Sequence, residues 1–217
     1  MKKYVAIVDY DMGNLFSVQR ACEQVGLSAV ITKSGDEISG AAAAILPGVG
    51  AFGDAMSNMD KFGLVKAIRD FVKTGKPFMG ICLGMQLLFT ESEEFGIHKG
   101  LDIIKGRVTE FGNKGKDNAN IKVPQVGWNS ISPGKGAEDK WNNSPLKDVK
   151  KGEYMYFVHS FYCIPSDPEV ILTVSNYEGT EYCSGVSKDN VFAVQFHPEK
   201  SAIEGIKIYK NWAQLFK

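Results

Sequence analysis

Gly80-Ile81-Cys82-Leu83-Gly84 sets a thiol between two glycines, where the short apolar run Phe78 to Ile81 gives way to helix-favouring residues. Flanking glycines allow a sharp turn from strand into helix, so the segment has the form of a nucleophile elbow with sulfur in place of oxygen. A thiol there would stand at the C-terminal end of the sheet, where open α/β folds bind ligands. The N–H groups that begin the next helix favour negative charge nearby, and the Leu83 N–H is a candidate oxyanion donor. The ordinary alternative for any cysteine is a small buried core residue. That is the reading for Cys22, Cys163 and Cys183, which lack such flanks.

A cysteine nucleophile needs a base within hydrogen-bonding reach and a third group to hold the base. Phe196-His197-Pro198-Glu199 offers both, just past the strand-like run Val191 to Gln195, with Pro198 stiffening the turn that aims Glu199. The order nucleophile, histidine, acid differs from the nucleophile, acid, histidine order of the α/β-hydrolases and argues against an esterase or lipase. The chain has only three histidines. His98 and His159 lack comparable company and are read as structural. No two histidines lie at metal-ligand spacing and no CxxC pair is present, so no metal site is expected.

The elements that must carry these residues follow from periodicity. Tyr4 to Asp9 reads as a strand, Asp11 to Asn14 as a turn, and Leu15 to Val25 as a helix; Ala29 to Thr32 and Ala42 to Leu46 read as further strands, the latter running into Pro47-Gly48-Val49-Gly50. Phe62 to Lys73 carries an apolar helical face and stops at Gly75, and Leu83 to Phe89 resumes helical character. Strands alternating with helices predict an α/β fold: a mostly parallel central sheet with helices on both faces. In the second half, β-like runs between Ile103 and Ser132, broken by Gly112, Gly115, Pro124 and Gly127, predict antiparallel hairpins. The polar segment Gly134 to Gly152 reads as a solvent-facing excursion, followed by strands at Tyr154 to Val158, Val170 to Ser175 and Val191 to Gln195 and a closing helix over Ile203 to Phe216.

The 217 residues allow one domain or two, and one domain spanning 1–217 is the reading taken. Lys plus Arg and Asp plus Glu stand at 25 each, so no net field draws in nucleic acid or an anionic membrane. No apolar stretch reaches the length of a membrane span or a signal-peptide core, and the scattered cysteines predict reduced thiols in a soluble, cytoplasmic protein.

Taken together, Gly80-Ile-Cys-Leu-Gly-Met-Gln86 and His197-Pro198-Glu199 resemble the class I (triad) glutamine amidotransferases. Asp9-Tyr-Asp-Met-Gly-Asn14, Pro47-Gly-Val-Gly-Ala-Phe52, Pro124-Gln-Val-Gly-Trp-Asn129 and Tyr156-Phe-Val-His-Ser160 narrow the resemblance to the glutaminase subunits of imidazole glycerol phosphate synthase, over nearly the whole chain. One segment departs: Gly100-Leu-Asp-Ile-Ile-Lys-Gly106 carries Asp102 where that subfamily usually has glycine.

The resemblance implies a Cys82-His197-Glu199 triad that hydrolyses glutamine, with Val49 and Leu83 as oxyanion donors and no cofactor. It implies that Gly48, Gln86 and Glu94 bind substrate, although solvated loop polarity is an equal alternative for Glu94. It also implies a heterodimer with a (βα)8-barrel cyclase that receives the ammonia to make imidazole glycerol phosphate and AICAR, with Asn14, Trp128, Tyr156 and Lys200 at the interface. Taken alone, Trp128 and Tyr156 are equally readable as core aromatics and Lys200 as a surface charge. Gly48 and Gly50 around the β-branched Val49 suggest a loop that turns its N–H onto the oxyanion only when the loaded partner is present. Two other readings stand beside this one: the same chemistry serving another acceptor, as in a surface-sugar pathway, and an inactive subunit that stabilises its partner, against which the intact triad speaks.

Overall fold

The computed structural model describes residues 3–112 and 121–216. In chain order the first half comprises β1 (Val5–Val8), α1 (Leu15–Gln24), β2 (Ala29–Thr32), α2 (Gly35–Gly40), β3 (Ala43–Gly48), α3 (Phe52–Lys61), α4 (Leu64–Lys73), β4 (Phe78–Cys82), α5 (Leu83–Gln86) and β5 (Phe89–Ser92). The second half adds β6 (His98–Lys99), β7 (Ile104–Glu110), β8 (Gln125–Pro133), α6 (Glu138–Asn142), β9 (Glu153–His159), β10 (Phe161–Pro165), β11 (Ile171–Tyr177), β12 (Thr180–Lys188), β13 (Val191–Val194) and α7 (Ala202–Ala213).

Alternate residues of the central strands enter two different cores. Ala6, Val8, Ala44, Leu46 and Phe78 pack with Ile38, Phe52, Met59, Ile68 and Phe71 of α2, α3 and α4. Val5, Ile7, Ala43, Ile45, Met79 and Ile81 pack on the opposite face with Val18 and Cys22 of α1 and Ile208, Tyr209 and Trp212 of α7. Burial on both faces is why these strands read as continuous apolar runs rather than as alternation. Each large apolar side chain sealed in this way stabilises the fold by roughly 1.5–3 kcal/mol.

Strand order is β2-β1-β3-β4-β13-β12-β10-β7-β5-β6, with β8 and β9 joined on through β11. The five strands from β2 to β13 are mutually parallel; β12 and β10 then run antiparallel to their neighbours. The expected mostly parallel centre with helices on both faces is therefore present, and β8 and β9 form an antiparallel pair in the second half. Among the described residues no helix is long and apolar enough to cross a membrane.

Three local expectations are corrected. The helix after Cys82 is a single turn, Leu83–Gln86, and Phe89 already belongs to β5. Leu87, Leu88 and Phe89 are all fully buried, so the apolar run carried no period by which to tell helix from strand. The segment 134–152 is not simply solvent-facing: Trp141, Leu146 and Val149 are buried in the α1/α7 core, and the indole N–H of Trp141 donates to the Val149 carbonyl at 3.1 Å. Gly127 does not break a strand but lies inside β8 at φ 133°, while Gly115 falls outside the described residues.

Candidate active site

Cys82 ends β4 with φ 55° and ψ −114°, a left-handed conformation that costs a non-glycine residue of order 1–3 kcal/mol and persists only where surrounding structure enforces it. The glycines around it explain how. A Cβ on Gly84 would lie 1.8 Å from the Leu46 carbonyl oxygen, and one on Gly80 would lie 3.0 Å from both Ala193 Cβ and the Gly84 oxygen. The elbow is thus wedged between β3 and β13: only hydrogen fits at Gly84, and a side chain at Gly80 would have to push its neighbours aside.

The sulfur opens onto a cavity of about 310 Å³. Val49, Leu83, Gln86 and Glu94, all anticipated from the sequence, line it together with Val158, His159, Ser160 and Phe161. Gly48 does not: it is buried beneath, where a Cβ would strike the Tyr10 hydroxyl at 2.1 Å. Glu94 Oε2 accepts the Phe52 N–H at the start of α3, at 2.6 Å. Burial, outweighing that bond, raises the Glu94 pKa.

His197 follows β13 and is held from behind, its Nδ1 donating to Glu199 Oε1 at 2.8 Å with both side chains almost wholly enclosed. Burial acts to lower the His197 pKa. The charge and polar contact of the neighbouring Cys82 sulfur, with help from Glu199, outweigh burial and hold the pKa up at about 10. His197 Nε2 is buried and makes no hydrogen bond of good geometry among the described residues, so the edge next to sulfur is free for proton transfer. The chain order that brings these groups together is strand register: Gly48 pairs with Cys82, and Ile81 pairs with Val194, three residues before His197.

Two groups close to the site were not anticipated, one lining the cavity and one buried against the sulfur. His159, read as structural, lines the cavity; its Nδ1 donates to the Phe161 carbonyl at 2.8 Å, leaving Nε2 buried and unpaired. Burial lowers its pKa to about 4, helped by His197 and opposed by the Phe161 bond. Gln195, fully buried, places Nε2 3.6 Å from the Cys82 sulfur. Its sequence signal was a lone amide at the end of an apolar run.

Of the four residues expected at an interface, three cluster. Trp128, 53% exposed, meets Tyr156 edge to face at 6.2 Å, Lys200 Nζ sits 5.8 Å from the Tyr156 ring centre, and that ring lies 6.5 Å from His197. The exposure of Trp128 removes it from the core. Asn14 precedes α1, where its Oδ1 accepts the Ser17 hydroxyl at 2.9 Å.

Comparison with known proteins establishes the family. The family model for class-I glutamine amidotransferases matches residues 6–213. The imidazole glycerol phosphate synthase subunit HisH of Geobacter metallireducens is 46% identical over 213 residues, covering 96% of this chain and 97% of the relative. The same subunit of Aquifex aeolicus is 44% identical over 207 residues, covering 95% and 94%. Among solved structures, a chain of PurLQS from Thermotoga maritima superposes with a TM-score of 0.73 at 20% identity, covering all of both chains. A crystal structure of a glutamine amidotransferase superposes at 0.70 with 16% identity, covering 97% of each chain. These last two speak for the fold alone. On the family match and the close relatives, the chain belongs to the class-I glutamine amidotransferases and, within them, to the HisH subunits of imidazole glycerol phosphate synthase.

Proposed function

We propose that residues 1–217 act as one cytoplasmic amidotransferase domain that hydrolyses glutamine at Cys82 and passes the ammonia to a (βα)8-barrel cyclase, which consumes it in making imidazole glycerol phosphate and AICAR. The observation that carries this reading is the left-handed Cys82 at a cavity mouth with the His197–Glu199 pair behind it.

In this mechanism His197 takes the thiol proton and the sulfur attacks the side-chain amide carbon of glutamine. The oxyanion that forms is met by the N–H groups of Val49 and Leu83, a kind of donor worth roughly 3 kcal/mol where one has been removed from a hydrolase. The C–N bond breaks as His197 returns the proton to the leaving nitrogen, releasing ammonia and a thioester. Water, deprotonated by His197, then cleaves the thioester to glutamate and restores the thiol. Glu199 keeps the imidazole in one tautomer and supports its positive form. Both N–H groups of Gln86 are committed, to Phe161 O and Gln195 Oε1, so its free oxygen is presented as an acceptor for the substrate ammonium, with the Glu94 carboxylate beside the same cavity.

The cyclase is assigned to the face that holds Trp128, Tyr156 and Lys200 next to His197, with Asn14 and the exposed Phe16 and Ile203 as further contacts in this reading. Exposed large apolar residues beside a reactive centre are what an ammonia-handing interface needs, because the seal must exclude water. The Val49 loop, half-exposed and followed by Gly50 at φ 98°, is assigned the gate: the partner's ligand turns its N–H onto the oxyanion. Glutamate release by wild type and Cys82→Ala, each with and without the cyclase and its nucleotide ligand, tests the whole reading. Activity that requires partner and ligand and disappears in the variant supports it; wild type silent under every condition refutes it.

A further inference from the structure

Gln195 is fully buried between the Gln86 amide and the Cys82 sulfur, and its orientation is fixed by a chain of donors that ends on a backbone carbonyl. A carbonyl oxygen only accepts, so the Gln86 group 2.9 Å from Phe161 O must be the amide nitrogen. The same nitrogen lies 3.0 Å from the Gln195 side chain, which must therefore turn its oxygen toward Gln86. Gln195 is left with its N–H groups facing the Cys82 sulfur at 3.6 Å. No flip of either amide is free: reversing Gln86 sets oxygen against oxygen at both Phe161 and Gln195, and reversing Gln195 sets nitrogen against nitrogen at Gln86. The ring N–H of His159 donates to the same carbonyl at 2.8 Å, so the anchor has two donors.

We infer that Gln195 is a further residue of the catalytic apparatus, donating a hydrogen bond to the reacting sulfur, with Gln86 and the Phe161 carbonyl as the elements that set its direction. An N–H aimed at sulfur interacts more strongly with the thiolate than with the thiol, so it favours the attacking form. The donor is also preorganised: Gln195 is fully buried, its backbone N–H is bonded to Ser184 O at 2.9 Å, and it need not reorient as charge develops. The relay has a second consequence. Gln86 faces the cavity and Gln195 faces sulfur, so displacing the Gln86 amide disturbs the nucleophile even though Gln86 makes no hydrogen bond to it. This inference rests on Cys82 being the nucleophile.

The test is the pH dependence of Cys82 alkylation by iodoacetamide in the full chain, which needs neither glutamine nor partner. Modification is located by mass spectrometry, since Cys22, Cys163 and Cys183 are buried away from the cavity. Gln195→Met keeps the volume and removes the donor; Gln195→Glu keeps the shape and sets an acceptor against sulfur. The expected result is a midpoint raised by about one pH unit in Gln195→Met and by about two in Gln195→Glu. Gln86→Met should raise it by a smaller step that disappears in the Gln195→Met background. Circular dichroism and thermal melts establish that each variant is folded, and should Gln195→Met fail to fold, the isosteric Gln195→Glu decides. Midpoints within about 0.2 unit of wild type in a folded variant overturn the inference. A shifted midpoint in a protein that never releases glutamate would instead leave Gln195 in place and remove the proposed reaction.

Discussion

His159 should make this protein acid-sensitive, by an amount the structure sets. The ring is packed among Phe111 at 5.3 Å, Phe157 at 5.7 Å and Tyr182 at 5.4 Å, with its Nδ1 proton spent on the Phe161 carbonyl. Charging it would place a cation among three rings with no acceptor for the second proton among the described residues, and its pKa accordingly falls from 6.5 to about 4. A depressed histidine costs nothing above the unfolded pKa, where both states are neutral. As pH falls below 6.5 the unfolded chain gains a proton the folded chain refuses, and stability drops until the folded pKa near 4 is reached. The full span corresponds to about 3 kcal/mol, and at about pH 4.5 most of it, roughly 2–3 kcal/mol, has been lost. Urea unfolding at about pH 7 and about pH 4.5 should show this in wild type. In His159→Gln, which keeps an N–H for Phe161, the difference between the two pH values should shrink by roughly 2–3 kcal/mol, whatever the variant's stability at neutral pH. Equal acid losses in the two proteins would mean that the ring accepts its proton where it stands, and the reasoning from enclosure would be wrong.

Gly84→Ala should cost about 3 kcal/mol or more, read from the urea midpoint, because the new methyl meets a strand backbone atom at 1.8 Å rather than a side chain that can move. Asp102 occupies a left-handed position, φ 52°, supported by the Thr90 hydroxyl at 2.8 Å and Lys105 at 2.6 Å. Asp102→Ala should therefore lose about 1–2 kcal/mol while Asp102→Gly stays within about 1 kcal/mol of wild type; a better-tolerated alanine would contradict the assignment. Trp128→Ala should leave the melting temperature of the isolated chain nearly unchanged and weaken cyclase binding by about 2 kcal/mol in calorimetry, roughly 30-fold. Unaltered binding would move the interface elsewhere.

The parts legible in the sequence were those encoded locally. The elbow glycines announce a turn, His197-Pro198-Glu199 brings an imidazole and its carboxylate partner within two residues, and the apolar runs of β1, β3 and β4 announce strands sealed on both sides. Gln195 was not legible, since its meaning lies 113 residues away at Cys82. His159 stood in a motif that was noticed, yet nothing in the motif says which face of β9 looks into the cavity. Phe52, Ala55 and Met59 of α3 have helical spacing, but the glycine, serine and asparagine between them dilute it. The buried Trp141, Leu146 and Val149 are single apolar residues in a polar stretch, and only tertiary packing reveals them as core.

The ladder that joins β3, β4 and β13 also works as a ruler. Leu46, Gly80 and Ala193 stand in one row across the three strands, and Gly48 stands opposite Cys82 two residues further on. Cys82, the Val49 loop and His197 come from three remote stretches of chain, yet their separations are metered by one set of backbone hydrogen bonds. Deleting a single residue within 78–81 would not shorten the distances; it would turn the thiol from one core to the other. Length can accordingly vary in the connections that lead into these strands, while the strands themselves are locked in step by the chemistry at their ends.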